Sequence, residues 1–275
     1  MNFLITGTNG FIGSEFLHFL SRKVKKKDNI FAIVRSNKYK KIFKKKKDIN
    51  FIKCDLKKNL SKLKLIKFDV VFHFAAQANH HLPKEQNHLT KSDNFIATKN
   101  LIKNINKDCV FVFSSTDKVY NPYSKCKENS KLKPQTYLAS QKVRCEKMIK
   151  DRFSKYFIFR LPIVHANGKF RKHSIVDQFL FDLIKNKKIN IFSNIKRSFI
   201  KTSEFNQILV SLHINKKYGI YNVGTKLKSY YNRVYNLSKN KYKKKLMNKL
   251  SGMIEPKIQK FDTSKYKKSF KVNLT

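Results

Sequence analysis

The chain has 275 residues, enough for one large α/β domain and a smaller lobe but not for three domains. Hydrophobic residues make up 41%, with aromatic content dominated by 24 Phe and 12 Tyr, so a sizeable core can form and a disordered chain is excluded. Against 17 Asp and Glu stand 62 Lys and Arg, a net charge of +45 that points to acidic partners: nucleic acid, anionic lipid or phosphorylated substrates.

The lysines spread along the whole chain, densest at 25–27, 44–47 and 243–245. A solvated basic surface accounts for them more simply than a dedicated nucleic-acid site, although sticky, nonspecific binding of nucleic acid follows from the charge alone. Cys54, Cys109, Cys126 and Cys145 show no CxxC and no His/Cys ligand spacing, so no metal is expected, and a reduced cytoplasmic protein is the default. The start, Met1 to Ile5, lacks the basic segment of a signal peptide, and no run of 18 apolar residues exists to span a membrane.

Phe3 to Ile5 is a short apolar run that stops at Thr6-Gly7, the pattern of a buried parallel strand. Phe11, Ile12, Phe16, Phe19 and Leu20 follow near helical spacing. Further strands are predicted at 30–34, 49–52, 70–74, 110–113 and 156–161, with helices at 95–105 and 137–149 between them. Strands alternating with helices give βαβ units and a parallel sheet. After Pro162 the rhythm changes: 174–184 and 204–213 read as helices and 219–223 as a strand. Beyond Thr225 the tail is rich in Lys, Tyr and Asn with weak periodicity.

Gly7, Gly10 and Gly13 form GxxGxxG between the first strand and the first helix. The first glycine permits the tight turn, the middle one lets backbone approach a pyrophosphate, and the third lets the helix pack on the strand. Phe11 and Ile12 open that helix, whose free N–H groups and positive dipole end suit phosphates. A glycine turn without a ligand is the bland alternative. Only 7 glycines occur in the chain, however, and three stand here in strand–turn–helix context. The fold class is therefore α/β: a Rossmann-type doubly wound parallel sheet over 1–161, then a small, partly interleaved substrate-binding lobe over 162–275.

The string TGTNGFIG, Thr6 to Gly13, resembles the extended short-chain dehydrogenase/reductase family, the NAD(P)-dependent epimerases and dehydratases of nucleotide sugars. Cys54-Asp55-Leu56 resembles that family's aspartate near the adenine, and His73-Phe74-Ala75-Ala76 its HxAA. Asn94, Thr98 and Asn100-Leu101 resemble its NxxGTxNLL helix, and Ser114 to Tyr120 its SSxxVYG strand end. Arg197 to Ile200 is similar to its RDFI, Tyr221 to Gly224 to its YNVG, and Asp262 to Lys265 to a late motif. The segments stand in family order over nearly the whole chain. The resemblance implies cofactor contacts from Asp55, Leu56, Ala75, Ala76 and Asn94.

The end of the second predicted strand chooses between NAD(H) and NADP(H). An acid there holds both ribose hydroxyls, whereas a base suits a 2′-phosphate. Val34 stands where an acid is common and Arg35 follows, with Lys38, Lys40 and Lys41 close behind, which favours NADP(H). The alternative is that Arg35 is one more base in a basic protein.

The resemblance implies a Tyr-x-x-x-Lys pair working with a Ser or Thr at the end of the fifth strand. The matching tyrosine is Tyr137 and the matching hydroxyl Thr116, but the lysine position is Gln141. Glutamine can hydrogen-bond a ribose yet supplies no charge, and an unassisted tyrosine, with an ordinary pKa of about 10, is roughly 0.1% ionised at pH 7. Lys142 lies one residue on, about 100° further round a helix, and only a local bulge would bring it to the same place. Either a substitute base restores the reaction, or the reaction is slow or different, or the protein binds cofactor without turnover. A second Tyr-x-x-x-Lys, Tyr123 and Lys127, falls in a loop-like stretch and reads as coincidence.

Asp117 and Lys118 follow Thr116 as in one branch of the sugar 4,6-dehydratases, where the resemblance implies a second acid; Asp117 as a simple turn former is the alternative. Arg197 is the candidate for gripping a diphosphate, since arginine forms bidentate phosphate contacts, with Asn167 and His80 as further substrate residues. His80 and its neighbour His81 also read as plain surface histidines. Arg160 ends the sixth predicted strand, where the family also has an arginine. The expected partner is a small nucleotide sugar, and the resemblance implies a homodimer. A cofactor-binding homologue without activity and a nonspecific nucleic-acid-binding protein are the rival readings.

Overall fold

The computed structural model describes residues 1–36, 49–78, 83–121, 125–166, 174–212, 216–238, 244–251 and 260–270. Contacts divide the chain into two compact units: 1–119, 132–160 and 216–221 in the first, and 120–131, 161–215 and 222–275 in the second.

The first unit is built on a seven-stranded parallel sheet. Its strands are β1 (Asn2–Thr6), β2 (Asn29–Val34), β3 (Ile49–Lys53), β4 (Val70–His73), β5 (Val110–Thr116), β7 (Tyr156–Leu161) and β12 (Gly219–Asn222); β6 is the two-residue strand Lys125–Cys126 of the other unit. The spatial order is β12-β7-β5-β4-β1-β2-β3. β1 pairs in parallel with β2 on one side, Leu4 opposite Phe31, and with β4 on the other, Leu4 opposite Val71. The chain order reverses at that point, and in open α/β sheets the crevice at such a reversal receives the ligand.

Leu4, Ile5, Val71, Phe111, Val112 and Ile158 are fully buried, so these strands read as continuous apolar runs rather than alternating ones. Helix α1 (Phe11–Leu20) packs Phe16, Leu17 and Leu20 inward. Short α2 (Ser61–Lys64) precedes β4. One longer helical stretch holds α3 (Asn87–Thr90), a wide π turn (Lys91–Ile96) and α4 (Ala97–Lys103). It therefore starts well before the 95–105 predicted from periodicity, because an inserted π turn breaks the 3.6-residue repeat. α5 (Tyr137–Arg152) is capped by Thr136, whose hydroxyl accepts from Ala139 N at 3.2 Å.

The second unit has its own core, formed by α6 (Ile175–Ile184), β9 (Ile189–Phe192), α8 (Tyr230–Ser238) and β14 (Met247–Leu250). β9 and β14 pair in parallel, Ile189 opposite Met247. β8 (Ile163–His165) pairs with β11 (Phe199–Lys201), β10 (Lys196–Arg197) with β13 (Lys228–Ser229), and β15 (Lys260–Phe261) with β6. Helices α7 (Thr202–Ser211) and α9 (Ser264–Phe270) complete it.

Candidate cofactor site and the end of β5

Gly7 stands at φ +71°, a region open to glycine but strained for other residues. A Cβ on it would come within 2.5 Å of the Ala75 backbone nitrogen; a Cβ on Gly13 would lie 2.6 Å from the Gly7 carbonyl carbon. Backbone therefore fills both places, and the turn between β1 and α1 lies directly on the chain leaving β4. Gly10 closes the turn, its N donating to Gly7 O at 2.8 Å, and stands as N-cap of α1 with no acid in the first helical turn. The helix start is thus free of competing negative charge.

Buried hydroxyls bolt this turn to its neighbours. Thr8 Oγ1 donates to Ile33 O at 2.6 Å, tying it to β2. Thr6 Oγ1 lies 2.7 Å from His73 Nδ1 and accepts from Ala75 N, while His73 Nε2 lies 2.8 Å from Thr98 Oγ1 on α4. Complete burial, aided by the Lys142 charge, holds the His73 pKa down to about 3, so the ring is neutral and needs one donor and one acceptor.

A cavity of about 480 Å³ opens at this end of the sheet. Of the residues expected from the sequence, Gly7, Gly10, Arg35, Asp55, Leu56, Ala75 and Ala76 line it. Thr8, Asn9, Cys54, Lys57, Gln77 and Asp93 line it as well, and sequence reasoning did not name them as contacts. Thr8 and Asn9 lie inside the glycine string and could have been found there. Lys57 and Asp93 could not, because their 2.8 Å ion pair joins residues far apart in sequence. Gly13, Phe11, Ile12, Asn94, Tyr137 and Gln141 are not on the cavity wall. Gly13 acts from behind the turn. Asn94 acts through Gln77, its amide oxygen accepting from Gln77 N at 2.7 Å and its amide nitrogen donating to Gln77 O at 3.1 Å.

The charges on the wall are unequal in their engagement. Hydrogen bonding to Asp93 raises the Lys57 pKa, so that cation is already neutralised. The Asp55 carboxylate accepts from Lys57 N at 3.0 Å. Arg35 is exposed, and among the described residues it makes no ion pair.

The second cluster of candidate residues lies where β5 ends and α5 begins. Gln135 N donates to Lys118 O and Lys133 N to Val119 O, which holds the approach to α5 against the turn after β5. Thr116, the last residue of β5, donates from Oγ1 to Asp117 Oδ1 at 3.3 Å and accepts from Lys118 N, and a tight 3-10 turn (Asp117–Val119) follows it. Tyr137 is exposed at the first position of α5. Gln141 is buried, and its Oε1 has no hydrogen-bond partner among the described residues.

α5 is an unbroken α-helix, so no bulge carries Lys142 to the place of Gln141. Lys142 turns into the interior, where Nζ donates to Ser114 O at 2.7 Å and lies 4.5 Å from the centre of the Phe113 ring. Arg160 is buried too: Nε and Nη2 donate to Glu146 Oε1 and Oε2 at 3.1 and 2.7 Å. Ser115 Oγ adds a third bond to Glu146 at 2.5 Å.

In the second unit, Arg197 is half-buried on β10, opposite Lys228. His80, His81, Asn167, Tyr123, Lys38, Lys40 and Lys41 lie outside the described residues. Among the described residues no group of His, Cys, Asp and Glu is arranged to hold a metal, and no helix is long and apolar enough to cross a membrane.

A parallel sheet with a glycine turn pressed against backbone at its point of reversal is a dinucleotide-binding fold of the Rossmann type. The residues present fit such a ligand: two places admit no Cβ, the helix start is free of acid, and Asn9 Oδ1 on the wall is a buried acceptor with no hydrogen-bond partner among the described residues. The chain belongs to the NAD dependent epimerase/dehydratase family, whose model matches residues 3–224.

Solved structures agree in fold. A UDP-glucuronic acid 4-epimerase from Bacillus cereus, in complex with UDP-glucuronic acid and NAD, superposes with a TM-score of 0.80 at 22% identity, covering 100% of this chain and 94% of that one. A dTDP-glucose 4,6-dehydratase from Bacillus anthracis, in complex with NAD, gives 0.78 at 17% identity, with 100% and 92% covered. A dTDP-4-dehydrorhamnose reductase from the same organism, in complex with NADP, gives 0.77 at 18% identity, with 99% and 94% covered. Comparison with curated protein sequences finds no match.

Proposed function

We propose that the chain is an NAD(P)-dependent oxidoreductase acting on a nucleotide-activated sugar, as an epimerase, dehydratase or reductase working through hydride transfer at a sugar carbon. The observation that carries this is the turn of Gly7 and Gly10, with Gly13 packed behind it, on the wall of a 480 Å³ cavity at the sheet's reversal. A nicotinamide supplies hydride exchange when bound. Within the protein, Gly7 to Gly10 and the start of α1 would receive the pyrophosphate, Asp55 and Leu56 the adenine end, and Gln141 a ribose hydroxyl. Tyr137 would move the proton of the sugar hydroxyl, Thr116 would hydrogen-bond it, and Asp117 would serve as a second acid where a hydroxyl is expelled. Arg197, with Asn167 and His80, would hold the substrate. Arg35, a cation on the wall that makes no ion pair among the described residues, supports a preference for NADP(H). A homodimer in the cytoplasm completes the reading.

A second reading is a cofactor-binding protein with little or no turnover. It is favoured by an uncharged Gln141 on an unbroken helix, with Lys142 committed to Ser114 O. Titration with NADPH and NADH in about 0.3 M salt, following cofactor fluorescence, tests both; the salt suppresses nonspecific attraction to the basic surface. Saturable binding, tighter for NADPH, is expected. Binding of neither would remove both readings and leave the basic surface, with its steep salt dependence towards nucleic acid, as the main feature. Turnover of any nucleotide sugar by the wild type then removes the second reading. Activity that appears only on Gln141→Lys establishes it.

A further inference from the structure

Among the described residues, the charged side chains on the cavity wall are Arg35, Asp55, Lys57 and Asp93. Asp55 and Lys57 share one turn after β3: the Asp55 carboxylate accepts from Lys57 N at 3.0 Å, and Lys58 N donates to Asp55 O at 2.9 Å. Asp93 stands on the π turn, next to Asn94, whose amide is bonded in both directions to the Gln77 backbone. Both ends of the 2.8 Å Lys57–Asp93 ion pair are therefore carried by held backbone. The pair itself is open to solvent, its side chains 34% and 28% exposed. Such a pair is worth at most about fivefold in an equilibrium.

Its hydrogen bond to Asp93 holds the Lys57 ammonium charged, while the Arg35 guanidinium lies close enough to act against that charge. Two cations gathered on one wall are favourable only with an anion between them. A phosphate monoester carries about two negative charges and three acceptor oxygens, more than one guanidinium balances. A charge-assisted bond to it is worth about tenfold or more, so it outcompetes Asp93 for a lysine on a flexible stem. We propose that Lys57 and Asp93 set cofactor choice by exchange: Lys57 leaves Asp93 to share the 2′-phosphate of NADP(H) with Arg35, and stays on Asp93 when NAD(H) is bound. The proposal rests on the dinucleotide reading above and on its assignment of Arg35 to the 2′-phosphate. Asp93 then works against the phosphorylated cofactor, because the exchange leaves its carboxylate without a cation and facing a phosphate.

The experiment is equilibrium binding of NADPH and NADH, and of adenosine 2′,5′-bisphosphate and 5′-AMP as probes of the adenine end alone. It is run in about 0.3 M salt, which screens the diffuse basic surface, and needs no sugar substrate. The proteins are the wild type, Lys57→Gln, Lys57→Arg and Asp93→Asn. Lys57→Gln is expected to weaken NADPH and the bisphosphate by about tenfold, and NADH and 5′-AMP by less than about twofold. Lys57→Arg keeps the charge and should retain wild-type selectivity. Asp93→Asn should tighten NADPH and the bisphosphate by about fivefold and leave the other two unchanged. Should Lys57→Gln fail to fold, Asp93→Asn decides. Equal losses for phosphorylated and non-phosphorylated ligands in Lys57→Gln, or no gain for the phosphorylated ones in Asp93→Asn, overturns the proposal. A wild type that takes NADH and excludes NADPH overturns it too. Failure of the wild type to bind any of the four overturns the dinucleotide reading instead.

Discussion

The two ends of the first unit's candidate site are made of different material. At the glycine turn the contacts are backbone: Gly7 against Ala75 N, Gly13 against Gly7 C, and Gly10 N on Gly7 O. At the meeting of β5 and α5 they are side chains: Thr116 on Asp117, Lys142 on Ser114 O, and Arg160 and Ser115 on Glu146. A turn packed backbone against backbone has few chemical solutions, because only glycine lacks the Cβ that would collide there. A side-chain cluster has many, since one helical residue further on, the same functional group points elsewhere. At the glycine turn the backbone accordingly dictates the residue type, whereas at the start of α5 several residue types fit.

The largest effect is expected at the side-chain end. Glu146→Ala leaves Arg160 buried without its carboxylate and should destabilise the first unit by about 3–5 kcal/mol, read by urea unfolding. A loss under about 1 kcal/mol would mean the cluster is far softer than its geometry. At the backbone end, Gly7→Val puts a branched side chain at positive φ against Ala75. NADPH binding should weaken by about 100-fold or more, a few kcal/mol of strain and collision. Near-normal affinity would show that the cradle is not where the cofactor rests.

The pH response should separate two buried bases. His73 titrates near pH 3 when folded and near 6.5 when unfolded. The unfolded chain therefore binds the extra proton between those values, and stability falls as pH drops from 6.5, by about 2 kcal/mol at pH 5. Lys142 titrates near 8 when folded and near 10.5 when unfolded, so its burial penalty is full below pH 8 and relieved by about 3 kcal/mol as pH rises to 10.5. Thermal unfolding of wild type and Lys142→Met across pH 5–10.5 reads both. The variant should lose the upper slope and keep the lower one. An upper slope unchanged in the variant would assign it to other groups. The smallest effect is on cofactor choice: Arg35→Ala should cut the preference for NADPH over NADH by about tenfold, the scale of one charge-assisted hydrogen bond. Equal losses for both cofactors would point to general attraction instead.

The amino-acid sequence by itself determined the βαβ rhythm, the strands around Leu4, Ile33, Val71, Phe111 and Ile158, and the glycine turn. Each is written in local spacing: a buried parallel strand is a continuous apolar run, and a cradle without Cβ atoms must be glycine. Tertiary structure alone decided the rest. The tail's β9–β14 pairing and α8 were not legible, because Ile189 and Met247 meet only across a parallel ladder and α8 buries just Tyr231, Arg233 and Val234. The π turn that sets Asp93 beside Lys57 hid behind a broken helical period. The destination of Lys142 depended on which side of α5 the sheet covers: a one-residue step turns a side chain about 100° round a helix, and here that carries the charge to the carbonyl of Ser114.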